Sequence, residues 1–205
     1  MLSKLQYISQ GKTASEQSLN IQKALDQGAD WIQLRWKEGA YREKMELSTA
    51  TRKMCASYHA LCIINDHIDI AAAVDADGVH LGLNDETITT ARTVLGTEKI
   101  IGGTANTLAD VLQRIEEQCD YIGLGPFRFT TTKEQLSPVL GLEGYTHILS
   151  YLREQSISAP PLYAIGGIET PDIPVLVQTG VYGIALSGLI TREPGLIPQL
   201  KNLLQ

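Results

Sequence analysis

Residues 31–65 read WIQLRWKEGAYREKMELSTATRKMCASYHALCIIN and contain two short apolar runs, WIQLR (31–35) and LCIIN (61–65). Between these runs, apolar residues over 42–56 recur three or four positions apart, which is typical of a helix packed on one side. A strand, a helix and a second strand in this order predict parallel strands joined by a crossover helix. This stretch therefore indicates an α/β fold.

The same alternation continues through the rest of the chain. Helical periodicity recurs at 16–27, 107–117, 143–154 and 171–179. Further apolar runs that fit short buried strands are LQYIS (5–9), GVHL (78–81), KIIGG (99–103), YIGLG (121–125), LYAIGG (162–167) and YGIAL (182–186). Eight such units favour a closed (β/α)8 TIM barrel over a doubly wound sheet, because no dinucleotide-type glycine fingerprint follows the first strand. We expect helix starts at Ser15, at Asn106 and at Thr170 with Pro171.

Length and charge limit the classes of protein to consider. The 205 residues fit one domain over 1–205, near the lower length limit of a TIM barrel. No apolar run approaches the roughly 20 residues of a membrane-spanning helix, and residues 1–13 lack a signal-peptide core, so we expect a cytoplasmic protein. The net charge of -6 argues against nonspecific nucleic-acid binding. A few local cations must then hold any anionic ligand.

Cysteines and histidines suggest core roles before catalytic ones. Cys55, Cys62 and Cys119 are widely spaced in apolar contexts, so they fit small core residues better than a nucleophile or a disulfide. His80 lies between apolar neighbours in GVHLG and fits a hydrogen-bonded core histidine, whereas His67 is either a loop residue or a ligand contact. The sequence has no Ser-His-Asp pattern, Walker loop or zinc-ligand spacing, so acyl transfer, nucleotide hydrolysis and metalloprotease chemistry are disfavoured.

Polar residues cluster directly after the apolar runs, where a barrel places its active site. Side chains alternate along a strand, so Gln33, Arg35 and Lys37 share one face, opposite the apolar residues between them. We expect this polar face to point into the barrel mouth. Alternatively, the two cations are only solvated or paired with carboxylates.

Carboxylates follow the next two strands. Asn65 and Asp66 end the third strand, and Asn84 and Asp85 follow the fourth. Two separated carboxylates at one mouth suit Mg²⁺, which takes one or two carboxylates together with phosphate oxygens and water. The alternative is structural: Asp85 caps the following helix and Asp66 makes an Asx turn.

The last three strands are followed by candidate phosphate ligands. Hydroxyl groups, an ammonium group and exposed backbone amides are all suitable partners for phosphate, and barrels commonly bind phosphate after strands seven and eight. The candidates are Thr130, Thr131, Thr132 and Lys133 after the sixth strand, Gly166 and Gly167 after the seventh, and Ser187 and Gly188 after the eighth. Polar surface and tight turns are the alternative explanation.

Four of these motifs, in order, resemble those of the thiamine phosphate synthase family, also called thiamine-phosphate pyrophosphorylases. The motifs are QLRWK (33–37), IINDHIDIAAAVDADGVHLG (63–82), TTTK (130–133) and AIGGI (164–168), and the resemblance spans about residues 31–190. It implies a barrel enzyme that joins 4-amino-2-methyl-5-(diphosphooxymethyl)pyrimidine to 4-methyl-5-(2-phosphooxyethyl)thiazole. The products would be thiamine phosphate and pyrophosphate. The implied reaction is dissociative, with a methylene cation stabilised by the aminopyrimidine and no protein nucleophile.

Transferred residue by residue, the resemblance divides the mouth into three sites. It assigns the pyrimidine diphosphate to Gln33, Arg35, Lys37, Asn65, Lys133 and Thr104, the last standing where the family usually has serine. It assigns Mg²⁺ to Asp66 and Asp85. It assigns the thiazole phosphate to the Thr130–Thr132 loop, Gly166, Gly167, Ser187 and Gly188. Arg35, Lys37 and Lys133 are the expected catalytic cations.

The chain departs from the family pattern in three places. Leu83 stands where glutamine is usual, the Pro-Ile-Phe-Pro approach to the threonine loop is replaced by Pro126, Phe127, Arg128 and Phe129, and Gly188 replaces a serine.

Three alternatives stay open: a thiazole tautomerase, a catalytically silent phosphate-binding barrel, and another phosphate-handling barrel isomerase, for which no strand-end acid and base pair is found. The partners expected are small phosphorylated molecules, not nucleic acid or membrane, and a homo-oligomer stays open.

Overall fold

The computed structural model describes residues 2–129 and 138–205. Eight parallel strands close into one barrel in the order β1 to β8, which confirms the predicted TIM barrel. The strands are β1 (Leu5–Ile8), β2 (Trp31–Leu34), β3 (Leu61–Asn65), β4 (Gly78–Leu81), β5 (Ile100–Ala105), β6 (Tyr121–Leu124), β7 (Leu162–Ile165) and β8 (Gly183–Leu186). All eight predicted strands are present, each within two residues of its predicted ends.

Helices follow the strands around the outside of the barrel. In the described part of the chain they are α1 (Ala14–Asp26), α2 (Tyr41–Ser57), α3 (Ile68–Ala73), α4 (Ile88–Leu95), α5 (Leu108–Glu116), α6 (Gly141–Glu154), α7 (Ile173–Thr179), α8 (Gly188–Arg192) and α9 (Ile197–Leu203). Short 3-10 turns at Thr170–Asp172 and Pro194–Leu196 precede α7 and α9.

Alternation along the strands divides the core into two layers. The barrel interior is filled by Ile8, Trp31, Ile63, Tyr121, Tyr163 and Ala185. A larger outer layer lies between strands and helices and includes Ile32 and Leu34, with Trp36 packed against it. The prediction that these three residues face the helices is confirmed. The opposite face of β2 therefore turns Gln33 into the barrel.

The expected helix starts need correction. Thr13 caps α1 instead of Ser15, and Thr107 caps α5 instead of Asn106; each hydroxyl accepts from the backbone N–H three residues later, at 3.2 Å. Both threonines have extended backbone, with φ of -121° and -137°, which lets the hydroxyl reach that amide. Thr170 and Pro171 open the 3-10 turn, and α7 itself starts at Ile173.

The three cysteines are free and buried, as predicted. A hydrogen bond from Cys55 and burial raise the pKa of the Cys62 thiol, and burial raises the pKa of Cys119 to about 12. Since the thiolate is the reactive form, Cys62 and Cys119 are poor nucleophiles. Among the described residues, no helix is both long and apolar enough to span a bilayer.

Candidate active site

Gln33 and Asn65 form a polar pair where β2 and β3 reach the mouth of the barrel. Gln33 is only 2% exposed, and its Nε2 donates to Asn65 Oδ1 at 2.7 Å. Gln33 Oε1 is buried and has no hydrogen-bond partner among the described residues. A buried acceptor without a partner is costly, so this oxygen is available to a donor group of a bound ligand.

Asp66 and Asp85 come together at the ends of β3 and β4. The backbone N–H of Asp66 donates to the carbonyl of His80 at 2.9 Å, and Gly82 N–H donates to Asp85 Oδ2 at 2.6 Å. Burial raises the pKa of Asp66 to about 6, the Asp85 carboxyl within hydrogen-bonding reach adds to that rise, and Lys37 and Arg35 oppose it. The two carboxylates are therefore close enough for each to disfavour the negative charge of the other.

The cap alternative for Asp85 is wrong, because Thr87 caps α4 and its hydroxyl accepts from Thr90 N–H at 3.0 Å. Asp85 is instead held by the turn that follows β4. A pair of carboxylates matches the needs of Mg²⁺, which completes its coordination with water and phosphate oxygens. Among the described residues no group of three or more His, Cys, Asp or Glu side chains converges.

Two cations border the carboxylate pair. Lys37 Nζ lies 3.8 Å from Asp66 Oδ2, with the lysine side chain 53% exposed. The backbone of Arg35 is fixed on both sides: its N–H donates to Ser9 Oγ at 3.0 Å, and its carbonyl accepts from Gln17 Nε2 at 3.1 Å. The mouth at β2 and β3 thus presents two positive charges beside two carboxylates, the mixture that a diphosphate with a divalent cation requires.

Gly166 and Gly167 form the turn after β7. Both have left-handed backbone, with φ of 93° and 69°. A Cβ added to Gly166 would lie 2.7 Å from Pro126 Cβ, and one added to Gly167 would lie 2.9 Å from Arg128 Cβ. Glycine is required here for both the turn and the close approach of the β6 loop, so the tight-turn explanation accounts for these positions as well as a phosphate site does.

Arg128 ties the β6 loop to this turn. It donates to the carbonyl of Gly167 at 2.7 Å and forms a bidentate pair with Asp172, with both contacts at 2.9 Å. Arg192 on α8 pairs with Glu169 at 2.9 Å, and Glu169 N–H donates to Asp172 Oδ2 at 2.8 Å. The loops after β6, β7 and β8 are therefore joined by ionic contacts.

Ser187 and Gly188 lie where β8 meets α8. Ser187 Oγ is buried without a hydrogen-bond partner among the described residues. A Cβ added to Gly188 would lie 3.2 Å from an Arg192 guanidinium nitrogen, so this arginine occupies the space beside the glycine. Thr130, Thr131, Thr132 and Lys133 lie outside the described residues.

The prediction that His80 is a hydrogen-bonded core residue is confirmed, since its ring contacts Tyr121 and Thr104, each at 3.0 Å.

The sequence did not predict the ionic contacts that Arg128, Asp172 and Arg192 make at the mouth. Arg128 could have been singled out as a cation directly after a predicted strand, but its partner lies 44 residues away in a different loop.

The chain is similar to known proteins over most of its length. Residues 5–190 match a family model described as thiamine monophosphate synthase. A thiamine-phosphate synthase of Flavobacterium psychrophilum is 55% identical over 98% of this chain and 99% of the relative. One of Flavobacterium johnsoniae is 53% identical over 94% of this chain and 91% of the relative.

A solved structure agrees with these relatives. Thiamine phosphate pyrophosphorylase from Pyrococcus furiosus superposes with a TM-score of 0.83 at 30% identity, covering 98% of this chain and 97% of that one. N-(5'-phosphoribosyl)anthranilate isomerase from the same organism superposes with a TM-score of 0.66 at 11% identity, covering 99% and 98%. The second likeness shows the barrel alone.

Proposed function

Because this chain belongs to the thiamine monophosphate synthase family, we propose that it is a thiamine-phosphate synthase. It is a transferase that joins 4-amino-2-methyl-5-(diphosphooxymethyl)pyrimidine to 4-methyl-5-(2-phosphooxyethyl)thiazole, giving thiamine phosphate and pyrophosphate. The observation that carries the proposal from the geometry is the Asp66–Asp85 carboxylate pair with Lys37 3.8 Å from Asp66. Residues 1–205 would act as one cytoplasmic domain.

The reaction needs a stabilised leaving group more than a base. The C–O bond to the diphosphate breaks with its electron pair on oxygen, the aminopyrimidine stabilises the methylene cation, and the thiazole nitrogen then attacks that carbon. Arg35 and Lys37 would hold the departing pyrophosphate, with Lys133 as a third cation. Fixed charges placed where negative charge develops are a large source of rate enhancement.

Gln33 and Asn65 would orient the pyrimidine. Asn65 Oδ1 already accepts from Gln33 Nε2, which fixes the Gln33 amide and leaves its buried Oε1 to accept from the amino group of the substrate. Holding the reacting carbon in line with the incoming thiazole converts a two-substrate step into a positioned one. Thr104 would add a hydroxyl contact to the pyrimidine diphosphate.

Asp66 and Asp85 would hold Mg²⁺. Their fit rests on the Asp85 carboxyl lying within hydrogen-bonding reach of Asp66, because two carboxylates this close disfavour each other's charge and a shared cation would relieve that repulsion. A bound Mg²⁺ supplies positive charge to the diphosphate oxygens. Asn65 and Lys37 would contact the substrate directly.

The thiazole phosphate would lie on the other side of the mouth. Gly166 and Gly167 would offer backbone contacts there, together with Ser187, Gly188 and the hydroxyls of Thr130, Thr131 and Thr132. The ionic contacts of Arg128 and Arg192 hold the turns that carry several of these groups. Both substrates are therefore small phosphorylated molecules bound at one end of the barrel.

The test is pyrophosphate release and thiamine phosphate formation from the two purified substrates, with Mg²⁺ and with EDTA. We expect metal-dependent, one-to-one formation of the two products. Asp66→Asn and Asp85→Asn should abolish the metal response, whereas Asp26→Asn, at the far end of α1, should not. Thiazole phosphate binding without pyrophosphate release would instead support a tautomerase or a silent binding barrel.

Lys133→Ala tests the third cation of the proposed site. Loss of one preorganised charge at the leaving group should lower turnover on the order of 100-fold. The measurement is kcat with both substrates saturating. Wild-type turnover in this variant would remove Lys133 from the catalytic groups while leaving the reaction itself established.

A further inference from the structure

Four polar side chains form a hydrogen-bonded row that crosses the barrel interior and ends at the mouth. Gln6 Nε2 on β1 donates to the Tyr121 hydroxyl on β6 at 3.2 Å. That hydroxyl lies 3.0 Å from His80 Nδ1 on β4, and His80 Nε2 lies 3.0 Å from Thr104 Oγ1 on β5. Gln6, Tyr121 and His80 are 1%, 0% and 6% exposed.

Proton counting gives this row a direction. The Tyr121 hydroxyl has one proton, and burial raises its pKa, so the proton stays on the oxygen. Because Gln6 donates to that oxygen, the tyrosine proton must find an acceptor elsewhere, since a buried donor left unsatisfied is costly. His80 Nδ1 is the nitrogen in place to accept it.

The direction continues through the imidazole ring. In a neutral histidine one nitrogen accepts and the other carries the proton, so an accepting Nδ1 places the proton on Nε2. Nε2–H then donates to Thr104 Oγ1. The Thr104 hydroxyl therefore accepts a hydrogen bond from His80, and its own proton is left to donate to another group.

We propose that Gln6, Tyr121 and His80 are positioning residues that make the Thr104 hydroxyl a hydrogen-bond donor toward the barrel mouth. On the function proposed above, the group that receives this proton is an anionic oxygen of the diphosphate substrate. An oriented donor is already in place when negative charge develops there, so no hydroxyl rotation is needed. In the opposite polarity, His80 Nε2 would accept from the Thr104 hydroxyl, and that hydroxyl would have no proton to donate to a ligand.

The first test reads the tautomer of His80 without any substrate. Two-bond proton–nitrogen correlation spectra of the ¹⁵N-labelled protein distinguish protonated from unprotonated ring nitrogens. His80 is assigned by the loss of its signals in His80→Gln, or by elimination with single Gln variants of the other three histidines, His59, His67 and His147. We expect the Nε2–H form. A protonated Nδ1 with a bare Nε2 would overturn the proposal.

The second test separates positioning from packing. Tyr121→Phe keeps the ring in the barrel core but removes the hydroxyl. The matched control is Tyr163→Phe, a neighbouring core tyrosine with its ring centroid 5.8 Å away, whose hydroxyl donates to the Ser3 carbonyl outside the row. We expect Tyr121→Phe to mix the His80 tautomers and to lower kcat on the order of tenfold, and Tyr163→Phe to do neither.

A double-variant cycle completes the test. Thr104→Val removes the proposed donor and should lower kcat on the order of 100-fold, while Thr104→Ser should keep most of it. In the Thr104→Val background, Tyr121→Phe should have no further effect. An equal further loss there would overturn the proposal, because it would mean that Tyr121 acts through packing. If the wild-type protein forms no thiamine phosphate, the proposed function fails, and the tautomer measurement still decides the polarity.

Discussion

Asp66 is the residue where function and stability conflict most directly. It has left-handed backbone, with φ of 66°, and its side chain is only 23% exposed. Because its pKa is raised from 3.8 to about 6, the folded protein binds the proton more tightly than the unfolded chain does. The contribution of this carboxyl to the free energy of unfolding is therefore largest at acidic pH and is lost as pH rises through about 6.

Asp66→Asn should stabilise the metal-free protein at pH 8 by about 1–3 kcal/mol, since a shift of about two pKa units corresponds to roughly 3 kcal/mol at most. Asparagine tolerates the left-handed backbone, so the substitution adds little strain. Urea unfolding in EDTA at pH 8 and at pH 4.5 checks this, and the difference should be clearly smaller at the lower pH, where Asp66 is mostly protonated in the folded protein. A variant that is less stable than wild type at pH 8 would contradict the raised pKa.

At the scale of single elements, the ends of parallel strands explain which site residues could be predicted. Gln33, Asn65, Asp66 and Asp85 lie at or just after the carboxyl ends of three neighbouring strands. Because parallel strands end at the same edge, the convergence of these residues follows from the strand assignment alone. Arg128 and Asp172 meet because two loops fold toward each other, and nothing in the periodicity of either segment specifies that meeting. The caps at Thr13 and Thr107 differ from the predicted caps by two residues and one residue. The sequence could not decide between them, because several adjacent polar residues can cap a helix.

Arg128 gives a prediction for the loops after β6 and β7. Arg128→Met removes the bidentate pair with Asp172 and the bond to the Gly167 carbonyl. We expect the KM for the thiazole phosphate to rise on the order of tenfold, because an ordered turn is lost before binding, while the KM for the pyrimidine diphosphate changes little. Arg128→Lys should not rescue it, since an ammonium cannot make the forked contact.

Steady-state kinetics with each substrate varied in turn measure the two constants. Arg153→Met is the matched control, because it removes an arginine in the last turn of α6, at the opposite end of the barrel. Equal rises in both constants would point to a general loss of structure, and no rise in either would show that the turn is held by other contacts.

At the scale of the whole molecule, the barrel is organised around a few aromatic rings in its interior. Trp31 packs edge-on against Tyr121 and Tyr163, with ring centroids 4.9 and 5.0 Å apart. These three side chains come from β2, β6 and β7, so they connect strands that are distant in the sequence. Because Tyr121 also belongs to the row that ends at Thr104, the packing of the interior and the orientation of the proposed site depend on the same side chain.

Trp31→Ala should therefore destabilise the barrel as a unit. Removing a fully buried tryptophan costs about 3–5 kcal/mol, a large part of the 5–15 kcal/mol that typically stabilises a domain. Trp36→Ala is the matched control, since the second tryptophan is only half-buried against the outer layer; we expect it to cost about 1 kcal/mol, within the range of ordinary substitutions. Urea unfolding followed by circular dichroism measures both. Similar midpoints for the two variants would mean that the outer layer, and not the aromatic interior, determines whether the eight strands stay closed.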